Sequence, residues 1–284
     1  MARGPASALN PKFGWGSRTV RSRIWRAFAT LVMPFFFLAR AMAAGDCPGN
    51  SSEIATDRPD VTNSSVVVPV GSLQSENGVD LTSGGGTRVL DGTNTRLRVG
   101  LSPCVEFLVD LPSYSAGVQG PADWGFSNLS PAIKWQISPL PGKFDLSVTT
   151  GVALPTGASR ISGPGAQPYL QFPWSVKLSD DWAANGMVTE FFRPSDPVNR
   201  SVSQYTFALE RSFGRRTDLF VEYVAYVGSG GATRELINSG MGYRITPTQQ
   251  IDFHVAFGLD RSAPNLIVGV GYSFRLDRLF AAGK

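Results

Sequence analysis

Apolar and polar residues alternate along most of the chain between residues 72 and 275. In the last such segment, Leu266, Val268 and Val270 share one parity, whereas Gly269 and Ser273 share the other. Twelve segments of about ten residues show this pattern, some of them in a weaker form. A period of two gives a β-strand one apolar and one polar face. Because about ten residues is also the length that a tilted strand needs to cross a bilayer, the alternation predicts membrane-crossing strands.

The connections between these segments alternate between tight turns and longer loops. Five are short and six are longer or looser, among them Thr82–Asn94 and Pro112–Ser127. An even number of strands with this spacing is typical of an up-and-down barrel with both termini on the tight-turn side. We therefore predict an all-β fold: a transmembrane antiparallel up-and-down β-barrel of about 12 strands over residues 72–275, followed by a tail at 276–284.

A soluble β-sandwich is the main alternative for alternating strands. The polar face of a sandwich meets water and is rich in Lys and Glu, whereas the polar face here is dominated by small or uncharged residues. Charged residues make up 17% of the chain, below the roughly 25% of ordinary soluble domains. The apolar face carries aromatic residues on nearly every segment, and a barrel would expose them to lipid. The composition therefore favours the membrane barrel.

The amino terminus has the three-part layout of a secretory signal peptide. Residues 1–26 are polar and basic, Ala27–Ala39 is an apolar run of 13 residues, and Ala41-Met42-Ala43 offers a small-residue cleavage pattern. The run is shorter than the roughly 20 residues of a membrane-spanning helix. We predict that residues 1–43 are a cleaved signal peptide and that the mature barrel lies in the outer membrane of a Gram-negative bacterium.

The net charge of +4 comes from that same end. Seven of the 26 basic residues lie in residues 1–43, which contain no acidic residue, and the remaining 19 face 22 acidic residues. Because the mature chain is net negative, no nucleic-acid partner is expected.

Export also permits disulfide bonds. The chain has two cysteines, Cys47 and Cys104. They either pair, which would tie the N-terminal segment to a turn of the barrel, or remain two free thiols.

The segment Thr56-Asp57-Arg58-Pro59-Asp60 and four later segments together resemble one bacterial outer-membrane family. The later segments are Leu154–Gly157, Gln167–Trp174, Phe220–Tyr223 and Val268–Phe274. The family consists of transporter-like β-barrels labelled with the meta pathway of phenol degradation, and the resemblance covers nearly the whole mature chain. It implies an outer-membrane barrel with a role in uptake, whose partners are membrane lipid, the barrel-assembly machinery and a small-molecule solute. The label does not name a substrate for this chain.

The sequence offers no cofactor or metal site. It contains one histidine, His254, two widely spaced cysteines, and no glycine-rich phosphate loop before a helix. A lipid hydrolase would need its nucleophile and base on the lipid side, but His254 falls on the polar, lumen-facing parity. We therefore expect no cofactor and no enzymatic activity, and we interpret His254 as a hydrogen-bonded lumen residue.

Most charged residues within the strands share the polar parity and are predicted to face the lumen. With His254, these candidates are Glu76, Asp80, Arg96, Arg98, Glu106, Asp110, Lys134, Asp145, Lys177, Glu222, Arg244, Asp252 and Arg275. Unpaired charges in a confined space are costly, so Arg96 and Arg98 should pair with acids on neighbouring strands. The set is either a structural salt-bridge lattice or a polar constriction that selects solutes.

Two questions stay open at this level. Residues 44–71, which contain the Thr56–Asp60 motif, either fold into the lumen as a plug or form a periplasmic tail. The barrel is either a passive channel or uptake transporter for small solutes, aromatic or apolar ones included, or a structural protein with a closed lumen. Small residues on the lumen face, such as Gly269 and Gly271, predict open space and favour the channel.

Overall fold

The computed structural model describes residues 52–140, 144–196, 198 and 200–279. The predicted signal peptide and Cys47 lie outside these residues. Every regular element in the described part of the chain is a β-strand. No described segment forms a helix long and apolar enough to cross a membrane.

Fourteen strands follow one another along the described chain. They are β1 (Leu73–Gly84), β2 (Thr87–Ser102), β3 (Val105–Asp110), β4 (Tyr114–Gln119), β5 (Gly125–Phe126), β6 (Ser130–Leu140), β7 (Phe144–Ala153), β8 (Gln167–Lys177), β9 (Trp182–Phe192), β10 (Ser201–Phe213), β11 (Thr217–Gly228), β12 (Thr233–Thr246), β13 (Gln249–Gly258) and β14 (Leu266–Leu276). Paired strands are antiparallel, and β1 pairs with both β14 and β2, which closes the sheet into a barrel.

Two of the membrane crossings are each built from two strands. The first part of β2 pairs with β4 and the second part with β3, so β3 and β4 together form one crossing. Pro112, which has no backbone N–H to donate to a ladder, lies in the break between them. β5 and β6 form the next crossing in the same way. The fourteen strands thus make twelve crossings, as predicted.

The predicted loop at Thr82–Asn94 is wrong. β1 and β2 continue as a hairpin to the turn Gly85-Gly86, where φ is 58° and 78°. Glycine adopts these angles readily and they give a tight hairpin turn. The small and polar residues of this stretch are typical of a loop, but pairing of β1 with β14 and of β2 with β4 holds them in the sheet. The predicted loop at Pro112–Ser127 likewise contains β4 and β5.

Side chains alternate between the exterior and the lumen as the sequence predicted. On β10, Tyr205 and Phe207 are exposed, whereas Gln204, Thr206 and Ala208 are buried. Closure removes the free strand edges that lipid cannot satisfy, and the exposed apolar face suits contact with lipid. The chain is therefore an outer-membrane type of β-barrel with a polar interior.

Residues 52–72, which we term the inner loop, lie inside this barrel. The loop starts near the tight turn between β12 and β13, where the Ile54 amide donates to the Pro247 carbonyl at 2.7 Å. It rises until Val61 packs against an apolar cluster that includes Val202 and Val224. It then crosses the lumen and returns to β2, where Val70 bridges to Gly100 before β1 begins.

Candidate functional site in the barrel lumen

Carboxylates of the barrel wall hold the backbone of the inner loop. Glu222 on β11 accepts hydrogen bonds from the amides of Val61 and Thr62 at 2.9 and 2.8 Å, and from the Thr62 hydroxyl at 2.7 Å. Glu76 and Glu106 accept from other loop amides in the same way. Because the inner loop is not a strand, its buried amides need such acceptors. The wall carboxylates therefore fix the position of the loop.

One side of the lumen is an interlocked charge network, which we term the paired wall. It comprises Glu76, Arg96, Arg98, Glu106, Asp110 and Lys134, on β1, β2, β3 and β6. Arg98 contacts Glu76 at 3.1 Å and Glu106 at 3.0 Å, and Lys134 contacts Glu106 at 3.1 Å. The side chains of these four residues are at most 1% exposed. Buried charges of this kind are tolerated only when they are paired and hydrogen-bonded.

Asp57 of the inner loop completes this network. Its carboxylate lies 2.9 Å from Arg96, 3.3 Å from Arg98 and 3.3 Å from Lys134. Arg98 also donates to two loop carbonyls, those of Ala55 and Val66, each at 2.9 Å. The network therefore joins the inner loop to the wall as well as joining strands to one another.

Arg96 lies at the edge of the paired wall. It binds Asp110 through Nε at 2.6 Å and a second guanidinium nitrogen at 3.0 Å, and it donates to Asn63 of the inner loop at 3.0 Å. The pairs of Arg96 with Asp110 and of Arg98 with Glu76 and Glu106 join neighbouring strands, as the alternation predicted.

A second cluster surrounds Arg58 of the inner loop. Arg58 lies 3.2 Å from Asp252 on β13 and 4.0 Å from Asp80 on β1. The imidazole of His254 lies between Asp80, at 3.1 Å from Nε2, and Asn238, at 3.2 Å from Nδ1. His254 faces the lumen and takes part in this polar cluster, away from the lipid side.

The glycines around Arg58 do not provide open space, which corrects the sequence interpretation. A Cβ on Gly271 would lie 2.6 Å from Arg58 Nε, and a Cβ on Gly78 would collide with the same guanidinium. A Cβ on Gly269 would collide with Asp80 and His254. These glycines make room for the inner loop and for charged side chains.

At the tight-turn end, two arginines bind the start of the inner loop. Arg244 lies 2.7 Å from Asp218 and 3.6 Å from Glu53. Arg275 pairs with Asp277 at 2.7 Å and donates to the carbonyls of the first described residues.

Lys177 does not join any of these groups, so its predicted place in the lumen is wrong. Its side chain is 51% exposed and pairs with Asp180 in the adjoining turn at 3.4 Å. Lys177 is the last residue of β8. Its side chain therefore extends beyond the end of the barrel, although it has the parity of a lumen residue.

A cavity of about 280 Å³ lies beside the inner loop at the tight-turn end of the lumen. Pro59 and Asp60 of the motif line it from the loop side. Thr56, whose hydroxyl accepts from Gln250 at 2.9 Å, lines it as well. From the wall it is lined by Asp145, Trp174, Asn185, Glu210 and Phe220, among others.

Sequence reasoning missed Glu210 and Asn63. Glu210 shares the lumen parity of Gln204 and Thr206 on β10, so the alternation places it on the polar face, although it is not among the predicted lumen charges. Asn63 binds Arg96 and also donates to Gln171 at 3.2 Å. No alternation of apolar and polar residues could have identified Asn63, because the inner loop has no regular structure.

Cys104 is buried at the turn between β2 and β3 and is disulfide-bonded. The second cysteine of the sequence, Cys47, lies outside the described residues. A pairing of the two remains a prediction, and it would tie the chain before the inner loop to the paired wall.

The chain is similar to one protein family and to several solved outer-membrane structures. The family profile described as "Putative MetA-pathway of phenol degradation" matches residues 56–276. Among solved structures, the chain is similar to the COG4313 outer membrane channel from Pseudomonas putida F1, with 14% identity, a TM-score of 0.59, and coverage of 74% of this chain and 97% of that one. It is also similar to NanC porin, with 9% identity, a TM-score of 0.53, and coverage of 72% and 100%.

KdgM porin shows a comparable likeness, with 10% identity, a TM-score of 0.50, and coverage of 71% of this chain and 98% of that one. At these identities the likeness shows a shared fold. No curated protein matches the chain. Because the family profile spans nearly all of the described residues, the chain belongs to the family described as "Putative MetA-pathway of phenol degradation".

Proposed function

We propose that this protein is a passive outer-membrane channel for small solutes, with the inner loop acting as a plug that narrows its lumen. The observation that carries the proposal is the polar lumen of a closed twelve-crossing barrel, which keeps a cavity of about 280 Å³ beside the loop. Twelve strands lie between small filled barrels and the wide porins, so a narrow path is expected.

Two kinds of contact support the plug. The loop is bound through its backbone by Glu76, Glu106 and Glu222, and through its side chains by Arg96 and Lys134. The loop also contacts β8, β10 and β11, so it occupies much of the cross-section and leaves the cavity at the tight-turn end.

The family and the fold neighbours fit this proposal. One neighbour is named as an outer membrane channel and two are named as porins. The family description points to the breakdown of phenols, and small aromatic solutes are therefore one class to test.

We also propose that the protein has no catalytic activity. His254 is enclosed between Asp80 and Asn238 and does not face lipid. In the described chain, no group of three or more His, Cys, Asp or Glu residues is arranged to hold a metal ion.

A closed structural barrel is the second candidate, and the paired wall favours it. Its buried ion pairs connect the strands to one another and to the inner loop, and they leave no room for a solute on that side.

Single-channel conductance of the full mature protein in a planar bilayer tests the proposal, with a variant that lacks residues 50–65 measured in parallel. We expect small openings from the full protein and larger ones from the deletion. Because the deletion leaves Glu76 and Glu222 without loop amides, Glu222→Gln serves as a milder release of the loop, and a heat-modifiable gel shift confirms folding. Folded proteins that never conduct, with or without the loop, would establish the closed structural barrel instead.

A further inference from the structure

His254 is the only histidine of the chain, and its ring lies between two side-chain oxygens in the lumen. Nδ1 is 3.2 Å from the side-chain carbonyl oxygen of Asn238, and Nε2 is 3.1 Å from a carboxylate oxygen of Asp80. The imidazole side chain is only 11% exposed. A neutral imidazole carries one N–H and donates from only one of its nitrogens. The roles of the two oxygens therefore decide the charge of the ring.

The orientation of the Asn238 amide is fixed by Glu222 on β11. Both oxygens of Glu222 accept from amides of the inner loop, Val61 and Thr62, as an ionised carboxylate does. Its contact with Asn238, at 2.9 Å, is therefore a hydrogen bond that the side-chain NH₂ of Asn238 donates. The carbonyl of the same amide is left facing His254. Because a carbonyl only accepts, Nδ1 of His254 is a donor.

Asp80 is an acceptor by the same reasoning. One of its oxygens accepts from the side-chain NH₂ of Asn94 at 2.6 Å, and the other lies 4.0 Å from the Arg58 guanidinium. The carbonyl of Asn94 accepts from the Ser113 hydroxyl at 2.7 Å, which fixes that amide as well. An ionised carboxylate has no proton to donate, so Nε2 of His254 is also a donor. A ring that donates from both nitrogens is an imidazolium, with a positive charge.

Charges on the neighbouring elements favour this imidazolium. The titratable groups around the ring are Asp80 on β1, Asp91 opposite it on β2, Glu222 on β11, Asp252 on β13 and Arg58 of the inner loop. Beside the ring, β12 and β14 contribute uncharged residues, Asn238 and the glycines Gly240 and Gly269. Acids thus outnumber cations in this part of the described lumen. Nearby opposite charges stabilise the protonated form of histidine.

The two hydrogen bonds of His254 lead to two attachments of the inner loop. Through Asn238, the ring supports Glu222, the carboxylate that holds the loop backbone. Through Asp80, it supports the site of Arg58, the loop residue that binds the wall. Loss of the proton leaves the ring with one donor, so a lone pair then faces one of the two oxygens. Two buried acceptors that face each other cost free energy.

We propose that His254 is a proton-dependent anchor of the inner loop: the imidazolium supports both attachments, and the loop loosens when rising pH removes the proton. Histidine is the side chain that ordinarily changes its charge between about pH 5 and 8. The Asp80 side chain is 21% exposed, so its contact with His254 is open to exchange with solvent. The inference rests on the proposed plug and adds to it a means of regulation by pH.

Nuclear magnetic resonance of the full mature protein in detergent micelles tests the anchor without any substitution. Because the chain has one histidine, its ring-nitrogen signals report the charge of His254 directly. Hydrogen exchange of the Val61 and Thr62 amides, divided by the intrinsic rate at each pH, reports how firmly the loop is held. Between about pH 5 and 9, we expect this protection to fall roughly tenfold or more as the ring loses its proton, which is the effect of one hydrogen bond to a charged group.

Two results would overturn the anchor. One is protection of the two loop amides that stays constant while His254 titrates. The other is a ring that is neutral over the whole pH range.

The variant His254→Gln separates the proton from the rest of the side chain. Glutamine still donates a hydrogen bond but does not titrate. We expect the Val61 and Thr62 amides of this variant to show low protection that no longer depends on pH. Asp180→Asn is the matched control and should keep the native dependence, because this carboxylate is 98% exposed outside the lumen. A pH dependence that survives in His254→Gln would assign it to another group and refute the role of His254.

Single-channel conductance connects the anchor to the proposed channel. The full protein should conduct more at about pH 8.5 than at about pH 5.5, and His254→Gln should conduct equally at both. Equal conductance of the full protein at the two pH values would overturn regulation by His254. If no variant conducts, the loop deletion included, the channel function fails, and the protection of the loop amides still decides whether His254 is the anchor.

Discussion

The paired wall and the lumen side of β7–β10 place charged residues in opposite circumstances. Lys134 and Asp145 lie on adjacent strands and both face the lumen. Lys134 is fully buried and contacts Asp57 and Glu106, whereas Asp145 borders a cavity without an ion-pair partner among the described residues. Beside the paired wall the inner loop excludes water, so the charges must be paired, whereas Asp145 borders the cavity, where a charge remains solvated. The paired wall thus holds the loop, and the cavity is the part of the lumen that stays unfilled.

The largest effect is expected when the paired wall loses a cation. Lys134→Met leaves Asp57 and Glu106 short of a buried partner, which typically costs about 3–5 kcal/mol. Unfolding of the refolded protein in denaturant would measure the loss. Lys177→Met is the control, since an exposed pair is worth roughly 0–1 kcal/mol. Similar losses of unfolding free energy in the two variants would show that the buried ion pairs of Lys134 contribute no more than an exposed pair.

A smaller effect is expected when Arg58 is displaced from its contacts with β1, β13 and β14. In Gly271→Ala, the new Cβ would lie 2.6 Å from Arg58 Nε and from an Asp252 oxygen. Overpacking of this kind costs about 1–3 kcal/mol, and we expect faster hydrogen exchange at the amides of Asp57 and Thr62. In the control Gly242→Ala, the Cβ would approach only the flexible end of Gln250, at 3.2 Å. Unchanged exchange in Gly271→Ala would mean that Arg58 does not hold the loop.

The smallest effect is expected outside the lumen, at Asp260 in the loop between β13 and β14. Partial burial acts to raise the pKa of Asp260, but hydrogen bonds from the Ser262 hydroxyl and from nearby backbone amides outweigh it, so the pKa lies below its usual value. A lowered pKa means that the carboxylate stabilises the fold at neutral pH and that this contribution disappears as the pH falls through the folded-state pKa, below 3.8.

Asp260→Asn should therefore be slightly less stable than the native protein at pH 7. The gap in unfolding free energy should close in strongly acidic solution, and single-channel conductance should be unaffected. A gap that widens in acid would contradict the assigned hydrogen bonds.

Much of the fold follows from the sequence because each strand carries its own period of two. The number of crossings and the separation of exterior from lumen were predicted on that basis. The prediction is wrong where the period fades: the Gly-rich stretch around Gly85 has the composition of a loop, but pairing with neighbouring strands extends the hairpin through it. It also failed at Lys177, because parity gives the face of a strand but not whether the residue is still inside the barrel.

The candidate site could be predicted only in part from the sequence. Parity assigned Arg98, Glu106 and Glu222 to the lumen side, where they contact other residues of the interior. The role of Asp57 as the centre of three cationic contacts was not visible, because its neighbours come from β2 and β6. Glycines on the lumen face predict open space, but the space beside Gly269 and Gly271 is filled by the side chains of Asp80, His254 and Arg58.

The sequence by itself determined the architecture: alternating residues form strands with one apolar and one polar face, and lipid on one side requires that such strands close into a barrel. Only the tertiary structure decided how the lumen is divided. The inner loop has no periodicity from which to predict its course, and side chains such as Arg98 find their partners by position around the barrel, which parity along one strand does not specify. The cavity that remains beside the loop is therefore a property of how loop and barrel pack together.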